Sequence, residues 1–245
     1  MRKMFLLLFM ILTLCLPTQA FGKKEVPILV YHSIDEFKGH GSKELYVTPV
    51  NFEEQMKYLK SNGYTLLTFD RWGEIDKVNK PIFITFDDGY KNNLNAFDIF
   101  QRLKGDDFHP VATIFVISDF IDRPNRLTKA DLKRMSDSGF FSIQSHTATH
   151  PDLTKIQNFE HELKTSKEEI EQIVGKPVFA ISYPFGNFND RVVEETKKYY
   201  RFGLTTTPGP YIESGMKKDL YLLPRSYVKY STTLEDFAKM VKKRQ

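Results

Sequence analysis

The chain has 245 residues, 41% of them hydrophobic and 14% aromatic, which is enough apolar surface for a folded core and argues against a disordered protein. Two of its 35 basic residues lie in the first twenty positions, where there is no acidic residue, so the remainder has 33 basic against 31 acidic residues. This near balance leaves no electrostatic footprint for nucleic acid, and we expect no nucleic-acid partner.

Residues 1–20 have the pattern of a cleaved signal peptide. Two basic residues precede an apolar stretch over 4–16, and a proline and a Thr-Gln-Ala ending suited to signal peptidase follow it. This stretch of thirteen residues is shorter than the roughly 20 that span a bilayer. We therefore expect an exported protein, secreted, periplasmic or at the cell surface, that is not stably inserted in a membrane after cleavage near Phe21. An uncleaved anchor is the alternative.

Short apolar segments alternate with amphipathic segments along 26–245, without a repeat or a linker, and this predicts a single domain. Predicted strands cover 26–31, 64–69, 81–86, 111–117, 140–145, 178–183, 202–207 and a last strand-like segment, 220–228. Predicted helices cover 48–63, 93–103, 128–139, 159–174, 190–200 and 234–243. Apolar strands in repeated βα units indicate a parallel sheet covered by helices. With about seven units, an α/β barrel is favoured over an open sheet.

Polar residues cluster at the carboxyl ends of the predicted strands, where parallel α/β folds carry their reactive groups. The clusters are Tyr31-His32, Asp87-Asp88-Gly89, the segment SHTATH at 145–150, and Tyr183-Pro184-Phe185-Gly186. Because these ends share one rim of such a fold, we expect the four clusters to meet there.

His146 and His150 are the strongest candidates for metal ligands. Their spacing can place both imidazoles on one side of a helical turn or of a curved loop, and Pro151 favours the loop. Alone, the pair could be structural. With a carboxylate from the neighbouring strand end, it forms the three-ligand set of a catalytic zinc-type site with one position left for water. The second aspartate would stay ionised near the cation and could accept a proton. A turn without chemistry is the alternative for this aspartate pair.

TFDDGY, SHTATH and YPFG, in this order and spacing, resemble the polysaccharide deacetylase family, also called carbohydrate esterase family four or the NodB-homology domain. The resemblance spans nearly all of 26–245 and implies a distorted (β/α) barrel of about seven strands that hydrolyses N-acetyl groups on sugars. It implies that Asp87 is the catalytic base, and that one divalent metal is held by Asp88, His146 and His150. Zinc is expected first, with nickel, cobalt, iron or manganese as alternatives.

The YPFG segment is expected to face the substrate. The resemblance implies that the backbone N–H of Phe185 contacts the oxyanion, and Tyr183 and Phe185 offer aromatic faces to a sugar. Many members have an arginine two residues before the proline of this motif, where Ser182 stands here. Arg225, in LLPRSYV, is the candidate that could supply this charge from another strand.

The general acid is expected to come from the first strand. No histidine follows His161, so the late histidine that serves as acid in many members is absent. PILVYHSI instead resembles the branch that deacetylates poly-β-1,6-N-acetylglucosamine, and His32 would be its acid. The first and last strands of a closed barrel are neighbours, so either can supply this group.

The expected function is the metal-dependent removal of N-acetyl groups from an extracellular polysaccharide, foremost poly-β-1,6-N-acetylglucosamine. Machinery that makes or exports this polymer is a further expected partner. A deacetylase of peptidoglycan or chitin oligomers and a non-catalytic polysaccharide-binding module are the alternatives. The two adjacent aspartates favour an enzyme, because a binding module needs no proton-transfer group. The sequence disfavours a serine or cysteine hydrolase, since the one cysteine lies in the predicted leader and there is no G-x-S-x-G elbow.

Overall fold

Strands and helices alternate along the computed structural model, which describes residues 25–213 and 217–242. The strands are β1 (Glu25–Val26), β2 (Ile28–Tyr31), β3 (Ser33–Ile34), β4 (Tyr46–Val47), β5 (Thr65–Leu67), β6 (Pro81–Phe86), β7 (Ala112–Val116), β8 (Phe141–Ser145), β9 (Ala180–Ser182), β10 (Phe202–Leu204), β11 (Tyr211–Ile212) and β12 (Ser226–Tyr227). The helices are α1 (Pro49–Ser61), α2 (Asn93–Leu103), α3 (Lys129–Asp137), α4 (Ser166–Val174), α5 (Asp190–Lys197) and α6 (Leu234–Val241). The predicted signal peptide lies outside the described residues.

The main sheet is parallel and curls into a distorted barrel. Seven strands follow one another in the order β10–β9–β8–β7–β6–β2–β12, and β5 pairs with the first half of β6. One short segment draws the two edges together, since Leu223 forms a bridge with Leu204 of β10 and Ser226 pairs with Leu29 of β2. The predicted α/β barrel of about seven strands is therefore confirmed, and its first and last main strands are neighbours.

The two faces of β6 show how the sequence separates the core from the rim. Ile82 and Ile84 belong to the larger apolar cluster, which includes the apolar residues of the helices, whereas Phe83 joins the cluster inside the barrel. Side chains two residues apart in a strand share a face, so Thr85 and then Asp87 follow Phe83 on the inner side. The barrel interior is thus apolar at one end and polar where β6 ends.

Two predicted elements differ in detail. The strand-like segment 220–228 contains only the two residues of β12, after a 3₁₀ turn over Lys217–Tyr221. Pro224 has no N–H to donate, and it separates Leu223, which pairs with β10, from Ser226, which pairs with β2. The predicted helix 159–174 begins with a π-helical turn over Glu160–Thr165 before α4. None of the helices in the described part of the chain has the length and apolarity needed to cross a bilayer.

Candidate metal and catalytic centre

Two strand ends bring three potential metal ligands together at one rim of the barrel. Asp88 follows β6, and His146 and His150 lie in the loop after β8. Asp88 Oδ1 is 3.5 Å from Nε2 of His146 and 3.7 Å from Nε2 of His150. The ligand atoms of all three residues lie within 4.8 Å of one another. One carboxylate and two imidazoles suit a divalent transition metal, so this cluster can hold such an ion.

Each histidine presents a nitrogen lone pair to this cluster. His146 Nδ1 is 2.7 Å from the carbonyl oxygen of Ser182, which can only accept, so Nδ1 carries the proton and Nε2 is left to coordinate. Burial, and next the neighbouring His146, lowers the pKa of His150 to about 4. His150 is therefore neutral at pH 7, the form that binds a metal.

The backbone around the centre is strained. Asp88, Thr147, His150 and Phe185 have φ values of 70°, 66°, 63° and 61°, in the left-handed region that non-glycine residues seldom occupy. Such conformations cost on the order of 1–3 kcal/mol each and persist only where the surroundings hold them. Their concentration here is typical of a functional site. The loop between the two histidines is not helical, as Pro151 predicted.

Asp87 is held by a buried arginine. Its side chain is almost fully buried, and Arg225 donates from Nη1 to Oδ1 and from Nη2 to Oδ2, both at 2.7 Å. The Ser182 hydroxyl donates to Oδ2 at 3.0 Å. Arg225 is fully buried too, and it also donates to the Thr205 carbonyl and the Thr85 hydroxyl. The structure thus places the guanidinium of Arg225 on Asp87, with Ser182 beside both.

Asp87 keeps its charge and one acceptor position. Burial raises the pKa of Asp87, but Arg225 and then His146 outweigh it and hold this pKa well below its usual range. The two carboxylate oxygens offer about four acceptor positions, of which Arg225 and Ser182 fill three. One position on Oδ1 remains for a proton donor, and Oδ2 lies 4.0 Å from Nε2 of His146.

His32 lies beside this rim and stacks on Tyr227. Their ring centroids are 5.0 Å apart, because β2 and β12, which precede and carry them, are paired. Burial lowers the pKa of His32 below its usual value, and the neighbouring Asp87 and then Asp88 offset only part of this shift, so the protonation of His32 depends on the charge of both carboxylates. His32 Nδ1 is buried and has no hydrogen-bond partner within the described residues.

The turn after β9 presents Phe185 to the centre. The Phe185 side chain is 62% exposed, and its ring meets that of His150 edge to face at 4.7 Å. The turn hydrogen bonds come from the amides of Gly186 and Asn187. The Phe185 amide takes no part in them. A Cβ at Gly186, whose φ is 72°, would lie 2.0 Å from Thr206 Oγ1, so glycine is required there.

Tyr183 is placed differently from Phe185. Its side chain is fully buried, and its hydroxyl donates to the Tyr221 carbonyl at 3.1 Å. The ring therefore packs in the core and has no exposed face for a sugar, although its backbone forms part of the turn.

Sequence reasoning missed two residues near the centre. Glu162 accepts from the amides of Ala148 and Thr149, between the two histidines, but in the sequence it is one of several charges on an amphipathic helix, and no periodicity distinguishes it. Tyr227 lay in the last strand-like segment, two residues after Arg225. The closed barrel that puts His32 beside the last strand was the signal that could have identified Tyr227.

Comparisons with known proteins identify one family. The family model described as Polysaccharide deacetylase matches residues 74–202, more than half of the chain. The crystal structure of a polysaccharide deacetylase from Bacillus cereus superposes with a TM-score of 0.88 at 56% sequence identity. The match covers 90% of this chain and 70% of that one.

Three curated relatives carry more specific information. YxkH of Bacillus subtilis (strain 168) is 35% identical over 78% of this chain and 70% of its own. Its name describes it as a polysaccharide deacetylase and specifies no polysaccharide. The peptidoglycan-N-acetylmuramic acid deacetylase PdaA of the same strain is 35% identical over 49% of this chain and 43% of its own. A poly-β-1,6-N-acetyl-D-glucosamine N-deacetylase of Staphylococcus epidermidis is 28% identical over 64% and 61%.

Proposed function

Because the chain belongs to the polysaccharide deacetylase family, whose members hydrolyse N-acetyl groups and typically depend on a metal, we propose that it deacetylates poly-β-1,6-N-acetylglucosamine. The observation that carries this proposal is the ionised, buried carboxylate of Asp87 beside the cluster of Asp88, His146 and His150. A hydrolase needs a base next to its metal, and a polysaccharide-binding module does not.

Asp88, His146 and His150 would hold the metal, which, when bound, polarises the acetyl carbonyl and makes the attacking water more acidic. Zinc is our first assignment, because one carboxylate and two imidazoles with an open position form a ligand set of catalytic zinc sites. The proton on His146 Nδ1, held by the Ser182 carbonyl, fixes the orientation of that ring.

The chain's own residues carry the proton transfers. Asp87 accepts a proton from the attacking water at its remaining acceptor position, while Arg225 holds its carboxylate in place. The Phe185 amide donates a hydrogen bond to the oxyanion that forms on the acetyl group. His32 then passes a proton to the sugar nitrogen, because an unprotonated amine leaves poorly. The products are acetate and a polymer with one more amino group.

Two observations support the β-1,6-linked polymer. His32 follows the first main strand and lies near Asp87 and Asp88, as the acid of that branch would. The relative from Staphylococcus epidermidis is named for this substrate. Peptidoglycan is the second candidate substrate, because PdaA, which is named for it, is more similar over the stretch that it matches.

We place the enzyme outside the cytoplasm. The support is the signal-peptide pattern of residues 1–20 and the extracellular location of the polymer. The machinery that synthesises or exports this polymer is the partner that we expect.

The test is acetate release from oligomers of poly-β-1,6-N-acetylglucosamine, chitin oligomers and peptidoglycan fragments, with and without added zinc. We expect zinc-dependent release from the β-1,6 oligomers, reduced by about 10²–10⁴-fold in His32→Ala. Asp87→Asn should bind the polymer and fail to turn it over. Release only from peptidoglycan or chitin would replace our substrate. An unchanged His32→Ala variant would remove the acid role, and no release from any polymer would contradict the proposal.

A further inference from the structure

Glu162 is a buried carboxylate that binds the loop between the two metal-binding histidines. Its side chain is 6% exposed. Oε2 accepts from the amides of Ala148 and Thr149 at 3.0 and 2.9 Å, and Oε1 accepts from the Thr149 hydroxyl at 2.7 Å. All three hydrogen bonds fall on two residues of the loop, so one side chain restrains its backbone and its polar tip together.

The restrained residues lie between the two strained positions of this loop. Thr147 and His150 both have positive φ values, and Ala148 and Thr149 separate them. The Thr147 hydroxyl accepts from the His150 amide at 3.0 Å, which holds the second position from inside the loop. Glu162 restrains the loop from outside it, through its hydrogen bonds to Ala148 and Thr149. Without it, two buried or half-buried amides would lose their acceptor, and the loop could relax towards ordinary backbone angles.

Glu162 reaches the loop from the π-helical turn Glu160–Thr165, which widens the helix just before α4. π-helical turns are rare in proteins, and many of those that are found lie at functional sites. A second contact supports the same loop, because the Ser166 hydroxyl is 3.0 Å from Ser145 Oγ, which accepts from the Thr147 amide. The π-helical turn and the start of α4 therefore hold both the entry and the middle of the loop.

We propose that Glu162 is a positioning residue for the metal centre. Its carboxylate holds Ala148 and Thr149 so that His146 and His150 face the same oxygen of Asp88. The proposal rests on the metal centre proposed above and is independent of the polysaccharide. A carboxylate suits this task because its two oxygens can accept several donors, and here each of them receives at least one.

The test is the affinity of the purified protein for zinc, measured by competition with a chromophoric chelator. We expect Glu162→Ala to weaken zinc binding by about 10–100-fold, the usual effect of removing a residue that orients metal ligands. Glu162→Gln should recover most of the affinity, because its amide oxygen can accept from both backbone amides and Thr149 Oγ1 can accept from its NH₂. With cobalt(II), the visible absorption of Glu162→Ala should change shape, reporting an altered ligand geometry.

Glu171→Ala is the matched control. Glu171 lies on α4 and accepts from the Val178 amide at 2.8 Å, so its loss also removes an acceptor from a backbone amide, away from the metal loop. We expect it to lower stability without changing zinc affinity.

Equal zinc affinity in wild type and Glu162→Ala would overturn the proposal, and so would equal weakening by Glu162→Ala and Glu171→Ala. A wild type that binds no zinc or cobalt would instead contradict the metal centre itself. A wild type that binds metal but releases no acetate would contradict the proposed substrates and leave the role of Glu162 standing.

Discussion

Arg225 and Asp87 form the most deeply buried ion pair at the rim. Both oxygens of Asp87 receive a guanidinium N–H at 2.7 Å, and the remaining contacts of Arg225 go to a carbonyl and two hydroxyls. A bidentate pair with its other donors satisfied can offset the cost of removing two charges from water. The same pair keeps the proposed base ionised, so stability and chemistry depend on one contact.

Removing Arg225 should therefore destabilise the protein strongly. Arg225→Ala leaves a buried carboxylate without its partner, and we expect a loss of about 3–5 kcal/mol in the free energy of unfolding, measured with urea. Arg225→Lys keeps the charge and loses the bidentate geometry, so it should be intermediate in stability and poor in turnover.

Arg102 provides the comparison for Arg225. It binds Glu53 at 2.7 Å, but its side chain is 57% exposed. Arg102→Ala should cost about 0–1 kcal/mol, as exposed pairs do. If Arg225→Ala and Arg102→Ala lowered the free energy of unfolding by similar amounts, burial of the Arg225–Asp87 pair would not explain the loss.

At the scale of elements, local patterns predicted most helices and strands. α3 is an example, since Thr128 at its start and Asp131 three residues later are a sequence pattern for a capping box, and the structure forms one. The π-helical turn could not be predicted, because residues 159–174 have the amphipathic pattern of an ordinary helix throughout. The last strand was overestimated for a similar reason. Its apolar residues pair with two different strands around Pro224.

Asp131, which binds Lys91 and completes the capping box of α3, should make stability depend on pH. Burial raises the pKa of Asp131, but hydrogen bonds from Lys91 and then Thr128 outweigh it and lower this pKa. The contribution of Asp131 is thus complete above the pKa of an unfolded aspartate, about 3.9, and disappears as the pH falls through the folded value. Asp131→Asn should cost about 1 kcal/mol at pH 7 and progressively less below about pH 4, in urea unfolding.

Asp137→Asn tests whether any acid on α3 has this effect. Asp137 pairs with Lys133 at 2.8 Å, and its side chain is 52% exposed, so we expect little change at either pH. A cost for Asp131→Asn that stays constant as the pH falls would exclude the capping carboxylate as its source.

At the scale of the whole molecule, closure of the barrel was the step that sequence could anticipate only in outline. The motifs located Asp87, Asp88, His146 and His150, because each follows a strand recognisable from its apolar residues. They could not show that Arg225 would reach Asp87 across 138 positions, or that Tyr227 would stack on His32. Both contacts depend on how the last segment bridges β10 and β2, and therefore on the curvature of the complete sheet.

A metal at this rim would join the end of β6 to the loop after β8, so its binding should stabilise the whole barrel. A ligand that binds only the folded protein stabilises it by about 2.7 kcal/mol at one hundred times its Kd. For a domain of this size, that raises Tm by about 5–11 °C. We expect this rise in calorimetry with zinc, and its reversal by a chelator.

Two histidine variants show whether the rise in Tm comes from zinc bound at this centre. His150→Ala removes a ligand, so its Tm should no longer respond to zinc. His161 is half exposed and lies 3.3 Å from Asp119, outside the cluster, so His161→Ala should respond as the wild type does. Because zinc can also bind surface histidines, a rise that persists in His150→Ala and vanishes in His161→Ala would place the stabilising ion on the helix surface. Only the opposite pattern ties the stability of the barrel to the rim where Asp87 is held.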